Sequence, residues 1–285
     1  MSRPCVLVID GNRAATREQQ VAAGGQPSGE GYAQVLQSLA GVSCDIVRPA
    51  DGEVRFAAGT GLTSYDGAAI TGSALNVYDG GAHIERQIEL ARAVFAAGVP
   101  FFGSCWGMQV AVSAAGGRVR RNPLGREFGF ARRIELAEAG RRHPMFRGKP
   151  AVFEALTVHR DDIEQLPDGV VALASNDMGL QAIELRHAAG TFWGVQYHPE
   201  FSFSELAATA LRYGAVLIEE RLFADRAELD GFVADLRTLM RDPRDRRLAW
   251  KHGLGAGLQD ESCKLAELRN WLQLQVLPYA QQRRA

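Results

Sequence analysis

Lysine is nearly missing from this chain. Of 285 residues only Lys149, Lys251 and Lys264 are lysine, and none follows a glycine-rich loop. A GxxxxGK[ST] phosphate cradle, and the nucleotide chemistry that depends on one, is therefore excluded. Charge of one sign is missing as well. The 32 basic residues face 33 acidic ones for a net charge of −1, which provides no general attraction to nucleic acid or an anionic membrane. No apolar run approaches the roughly 18–20 residues that span a bilayer. Residues 1–5 lead straight into a strand-like run, without the apolar core and cleavage site of a signal peptide. A cytoplasmic protein with no membrane or nucleic-acid partner is expected. The four cysteines, Cys5, Cys44, Cys105 and Cys263, form no CxxC pair, which argues against a zinc ribbon or redox dithiol. A reducing compartment argues against disulfides.

What is present is an alternation of apolar runs and helical periodicity. Residues 6–10 read as a buried strand and 11–27, rich in Gly, Gln, Ala and Arg, as a long loop that leaves open whether it closes over a site. Val35, Leu36 and Leu39 carry helical spacing over 32–39, stopped by Gly41. Strands follow at 44–47 and 68–71. A helix over 84–97 is closed by Gly98, a strand covers 99–103, and a helix covers 106–115. This order predicts an α/β fold, a mostly parallel sheet with helices on both faces. Shorter strands are expected at 118–121, 128–136, 152–158, 170–174, 180–185 and 191–197, and a helix at 205–220. One domain over 1–220 is expected, then a helical C-terminal extension over 221–285. Its stripe is Leu229, Phe232, Val233, Leu236 and Leu239, and residues 242–247 form a charged, solvated connection.

The chemistry concentrates at two strand ends. Gly103-Ser104-Cys105-Trp106-Gly107 is a G-x-C-x-G pattern between an apolar strand and a helix, the cysteine form of a nucleophile elbow. So sharp a turn leaves no room for side chains at the flanking positions. It places the sulfur at a helix N-terminus, whose partial positive charge favours thiolate. Gly194-Val-Gln-Tyr-His198-Pro199-Glu200 ends the second strand. Residues two apart in extended chain share a side, and Pro199 biases His198 towards that conformation. His198 and Glu200 thus suit a base and the carboxylate that orients it. A zinc site of Cys105, His198 and Glu200 would lack a fourth ligand at standard spacing. Neither metal nor cofactor is implied. His83, His143, His187 and His252 have no partners at suggestive spacing.

Together these segments resemble the class I glutamine amidotransferases, most closely the glutaminase domain of GMP synthase and its stand-alone relatives. Gly-Ser-Cys-Trp-Gly-Met-Gln and Gly-Val-Gln-Tyr-His-Pro-Glu stand where that family has its two signature motifs. Ile70-Thr-Gly-Ser-Ala is similar to its glycine-rich strand end, with Ser73-Ala74 departing from Gly-Gly-Pro. Arg126-Glu-Phe-Gly-Phe and Val158-His-Arg-Asp are similar to segments near bound glutamine. The likeness covers about residues 5–215. It implies a three-layer, flavodoxin-like sandwich and acyl transfer through a thioester, with Cys105 as nucleophile, His198 as base and acid, and Glu200 as orienter. It further implies an oxyanion hole from the backbone of Gly72, Ser73 and Trp106, with Gln109, Phe128, Gly129 and His159 as substrate contacts. Two folds with a related elbow fit less well. The dienelactone hydrolases lack an acid two residues after the late His, and one family of stress chaperones and proteases has His directly after the Cys.

The chain lacks the SGGxDS loop of an ATP-using synthase domain. A glutaminase that supplies ammonia to a separate synthase, docked through 221–285, is the first expectation. The alternatives are a stand-alone hydrolase of γ-glutamyl amides or peptides, and a non-catalytic binding protein of the same fold. A homo-oligomer is compatible with all three.

Overall fold

Val6 and Val8 face one side of a central sheet and Leu7 and Ile9 the other, and all four are fully buried. A strand apolar on both faces needs a helical layer on each. The computed structural model describes residues 3–56 and 60–284, so the expectation for the first two residues lies outside the described residues. The elements in chain order are β1 (Cys5–Ile9), α1 (Ala14–Ala22), α2 (Ser28–Ala40), β2 (Ser43–Val47), β3 (Gly67–Ile70), α3 (Ala82–Ala97), β4 (Phe101–Ser104) and α4 (Trp106–Ala114). There follow β5 (Arg118–Arg121), β6 (Glu127–Leu136), α5 (Glu138–Arg142), β7 (Val152–His159), β8 (Asp161–Gln165), β9 (Val170–Asn176), β10 (Gly179–His187), β11 (Gly190–Val195) and α6 (Phe203–Glu219). The C-terminal part comprises α7 (Arg226–Arg241), α8 (Arg246–His252), α9 (Ala256–Gln259), α10 (Glu261–Lys264), α11 (Ala266–Trp271), a π turn (Leu272–Val276) and α12 (Leu277–Arg284).

Nine strands form one sheet in the order β2-β1-β3-β4-β11-β10-β9-β6-β7. The first five run parallel, and the remainder pair antiparallel. This is the expected α/β sandwich, with an antiparallel wing built from the short strands after α4. α2 and the C-terminal helix cover one face of the parallel part, and α3 and α4 the other. The wing carries α6, α7 and α8 against Phe130 and Leu156. It curls back far enough for Leu156 O to accept the His198 N–H at 2.8 Å. No helix among the described residues is long and apolar enough to cross a membrane.

Three expectations need correction. The stretch 11–27 is not a plain loop, because α1 lies within it. Its Ala, Arg, Glu and Gln are good helix formers, and Gln20 is buried against α6 through bonds to Glu205 and Thr209. β8 was not expected, since Ile163 is its one apolar residue. Charge instead of an apolar pattern supports its pairing with β5, through Arg118–Glu164 at 3.3 Å and Arg120–Asp162 at 3.8 Å. The connection at 242–247 ends early, because Asp245 caps α8 by accepting the Leu248 N–H at 3.0 Å.

The C-terminal helix is anchored behind β11. Leu268, Trp271, Leu272 and Val276 are fully buried in the same cluster as Val6, Val8 and Phe102. Glu267, fully buried, accepts from Tyr197 Oη and pairs with Lys149 Nζ at 2.5 Å. Removing one partner of a buried pair costs about 3–5 kcal/mol, whereas replacing both by apolar groups is often neutral. Glu267→Ala is therefore expected to lower the denaturation free energy by about that amount. The double variant Lys149→Met with Glu267→Leu is expected to recover most of it in urea unfolding. Equal losses in both would show that the pair itself is not what is lost.

Candidate active site

Ligands of open α/β sheets lie beyond the carboxyl ends of the strands, where neighbouring connections diverge. Here that edge collects Asp10-Gly11-Asn12 after β1, Thr71-Gly72-Ser73 after β3, Cys105 after β4, and Gln196 to Glu200 after β11.

The turn at Cys105 is as tight as its sequence predicts. Cys105 has φ 52° and ψ −107°, a conformation rare for a residue with a Cβ. A Cβ on Gly103 would lie 2.7 Å from the Gly107 carbonyl carbon, and one on Gly107 would lie 2.5 Å from Ile70 O. The Cys105 N–H donates to Val195 O at 2.7 Å, tying the turn to β11. Trp106, which opens α4, is fully buried. Its indole donates to Gln87 Oε1 at 2.7 Å, and its ring fills the space that a Cβ on Gly11 would need. The Trp106 side chain is therefore structural. The backbone N–H of Trp106, first in the helix, has no intrahelical acceptor.

His198 and Glu200 share a side of the chain, as expected, with Nδ1 2.7 Å from Oε1 and both side chains buried. The ring stacks on Phe201 at 4.1 Å between centroids. Burial would lower the imidazolium pKa, but the negative charge of Glu200 and the interactions with Cys105 and Glu200 push it up to about 10. Nε2 of His198 has no geometric hydrogen-bond partner among the described residues. The Cys105 thiol, beside it, donates to Val158 O at 3.6 Å. By contrast Cys44 is an inert thiol, pushed up to about 12 by burial and neighbouring Cys5 and Asp45.

Gly72 is held close to this pair. A Cβ there would sit 2.4 Å from His198 Cε1. The amides of Gly72 and Ser73 make no hydrogen bond among the described residues. The turn is fixed by Asn12, which the sequence reading missed inside its supposed loop. Its side chain accepts the Ala74 N–H at 3.0 Å and donates to Gly72 O at 3.2 Å. Asp10 in turn accepts the Asn12 N–H at 2.9 Å. An apolar strand ending in Asp-Gly-Asn was the available signal.

Two cavities meet here. The smaller, about 230 Å³, contains Cys105, Gln109, Arg126, His159 and Asp161. The larger, about 380 Å³, contains His198, Glu200, Phe201, Tyr32, Gln20 and Arg212. Ser73, Val158 and Tyr213 border both. Of the expected substrate contacts, Gln109 and His159 line the smaller cavity. His159 is itself braced by Glu127 at 2.8 Å. Phe128 and Gly129 line neither cavity. Phe128 packs on Phe223 and Phe232, and Gly129 faces the Phe232 ring. The likeness that drew attention to the 126–130 segment locates the segment, but the residue that reaches the cavity is Arg126. No group of three or more His, Cys, Asp or Glu among the described residues is arranged to hold a metal ion.

The raised imidazolium pKa has a consequence for stability. A histidine at about 6.5 in the unfolded chain and at about 10 in the fold stabilises the fold fully below the first value. That contribution is lost as pH rises through the second. The thermal midpoint should therefore fall between pH 7 and 10.5, and fall less in His198→Asn. Parallel pH profiles for the two proteins would contradict the assignment.

Comparisons with known proteins give one direction. Residues 32–216 match the family model for glutamine amidotransferase class-I. The chain is 32% identical to a gamma-glutamyl-L-1-hydroxyisopropylamide hydrolase of a Pseudomonas species, over 99% of this chain and 97% of that protein. It is also 32% identical to the glutamine-hydrolysing GMP synthase of Streptomyces coelicolor, over 56% of this chain but only 31% of that protein. A glutamine amidotransferase of Thermotoga maritima shares the fold at a TM-score of 0.67 and 18% identity, over 97% of this chain and 99% of that one. The chain belongs to the class I glutamine amidotransferase family.

Proposed function

We propose that this chain hydrolyses γ-glutamyl amides, glutamine among them, through a thioester on Cys105. The observation that carries the reading is the convergence of the Cys105 elbow, the His198–Glu200 pair and uncommitted backbone N–H groups between two cavities. The Cys105 thiolate attacks the γ-carbonyl carbon, and the amides of Trp106 and of the Gly72–Ser73 turn hold the developing oxyanion. His198 passes its Nε2 proton to the departing nitrogen. It then takes a proton from water, which attacks the thioester and releases glutamate and free thiol. Glu200 holds the ring through Nδ1 and balances its charge. The smaller cavity, lined by Arg126, Arg160 and Asp161, suits the charged α-amino acid end of a glutamyl group. Gln109 and His159 are its proposed contacts.

Two observations favour an amide hydrolase over a dedicated supplier of ammonia. The relative named for γ-glutamyl amide hydrolysis matches along nearly the whole chain, C-terminal helices included. The apolar stripe of those helices is also spent within this molecule: Leu229, Val233, Leu236 and Leu239 are buried against α6 and the wing. Docking of a synthase through that stripe is thereby disfavoured. Ammonia supply to a separate synthase remains the second reading, supported by the partial match to GMP synthases.

Glutamate release from glutamine and from γ-glutamyl alkylamides tests the proposal. Cys105→Ala is expected to fall to background. Glu200→Gln should lose part of the roughly 10²–10⁴-fold that acid–base catalysis supplies. Gly72→Ala keeps its backbone N–H, but its methyl would meet His198 Cε1 at 2.4 Å, so it too should lose part of the roughly 10²–10⁴-fold that acid–base catalysis supplies. Undiminished release by Cys105→Ala would overturn the proposal.

A further inference from the structure

The larger cavity is unexplained by a reaction that releases only ammonia. Ammonia fills about the volume of one water, roughly 30 Å³, whereas this space is about 380 Å³. It also lies on the correct side of the chemistry. His198 and Gly72 form its rim, and Cys105 opens into the other cavity. A substrate whose γ-carbonyl sits at Cys105 with its glutamyl end in the smaller cavity must send its amine half past His198 into the larger one.

The far wall of that cavity holds one uncommitted cation. Arg212, from α6, donates through Nε to Gln20 Oε1 at 2.8 Å and lies over the Tyr213 ring at 4.3 Å. It makes no ion pair, and its two terminal nitrogens donate to nothing among the described residues. The other arginines at this edge are committed. Arg126 and Arg160 pair with Glu220, and Arg17 with Asp51 and Asp10. The acid nearest in the network is Glu205, and both of its oxygens are occupied. Oε1 accepts the Gln26 N–H at 2.8 Å, and Oε2 accepts from Gln20 at 3.1 Å. Burial also raises its carboxyl pKa. Glu200, the remaining acid, is bound to His198. The Gln20 bond and the Tyr213 ring hold the Arg212 guanidinium, which lines the cavity with both terminal nitrogens lacking an acceptor among the described residues. Such a fork matches a carboxylate in bidentate geometry. Tyr32, Val35 and Met240 supply carbon surface beside it for a side chain.

We infer that the larger cavity binds the amine half of the substrate and that Arg212 selects amines bearing a carboxylate, so that γ-glutamyl amino acids are preferred over γ-glutamyl amino alcohols. This rests on the reading of the chain as a γ-glutamyl amide hydrolase, and it concerns the other end of the substrate.

The test compares γ-glutamyl-L-alanine with γ-glutamyl-L-alaninol, which differ by a carboxylate against a hydroxymethyl group, with glutamine as third substrate. In wild type, kcat/KM for the acid is expected to exceed that for the alcohol by about 10–100-fold, the range for a hydrogen-bonded charge pair. Arg212→Met should collapse that ratio at least tenfold, mainly through KM, and Arg212→Lys should restore part of it. A wild-type preference for the alcohol, or a ratio that Arg212→Met leaves unmoved, would overturn the inference while leaving γ-glutamyl hydrolysis intact. The wild-type ratio decides even if the variants fold poorly. No glutamate from any of the three substrates would instead overturn the underlying reading.

Discussion

The backbone of Cys105 is the constraint on which the rest depends. A non-glycine residue at positive φ costs on the order of 1–3 kcal/mol and persists only when its surroundings leave no alternative. Here every neighbour removes an alternative. Gly103 and Gly107 have no Cβ to push the strands apart, the Val195 carbonyl claims the Cys105 N–H, and the buried Trp106 ring pins the start of α4 beneath Gly11. Relaxing the turn would require unpacking two strands and a helix together. The thiol is held at a helix N-terminus without being allowed to sink into the core.

The partner of that thiol is braced from two directions. From the wing, Leu156 O holds the His198 N–H, and Val158 borders both cavities. From the C-terminal side, Lys264 donates to Phe201 O at 2.8 Å, and Phe201 stacks on the His198 ring. Glu267 grips Tyr197, the residue before His198. Two of the chain's three lysines thus serve one short loop, Lys264 directly and Lys149 through Glu267. Burial lowers the Lys264 ammonium pKa, a cost consistent with a position fixed by need. The helices after residue 221 therefore reach the chemistry through the backbone that carries His198, without contributing a group to it.

Local sequence carried the reading where the physics is local. The elbow was legible because glycine spacing reports a steric demand, and His198-Pro-Glu200 because extended backbone alternates. Strands β1, β3 and β4 were legible because each is buried on both faces. What escaped was set by partners distant in sequence. α1 lacks an apolar stripe, so its Gln20 reads as surface until α6 arrives with Glu205 and Thr209. Asn12 looks like an ordinary loop residue until the β3 turn packs against it. Phe128 and Gly129 sit in a segment that borders the site, but only the curl of the wing decides that Arg126 faces the cavity while Phe128 faces α7. Arg212 belongs to the same class: nothing in Ala-Leu-Arg-Tyr-Gly distinguishes it from a solvated helix position.

These two kinds of legibility divide between the strand ends and the helical wall of the larger cavity. Cys105, His198 and Glu200 sit at strand ends and are fixed by close packing, so little can vary there without losing the turn. The helical wall of the larger cavity is built by α1, α2 and the residues leading into it, α6, and Met240 of α7. Gln20 and Arg212 bond neither the elbow nor the His198–Glu200 pair, whereas Tyr32 Oη lies 3.1 Å from Ser104 Oγ in the elbow itself. A change of side chain at Arg212 therefore alters the wall and leaves the strained turn alone. Tyr213 marks the boundary, with Arg126 at 5.1 Å on the side of the smaller cavity and Arg212 at 4.3 Å on the other. One aromatic ring thus separates a guanidinium committed to Glu220 from one that is not. In the reaction proposed above, acyl chemistry thus falls to the strand ends and amine selection to the helical wall.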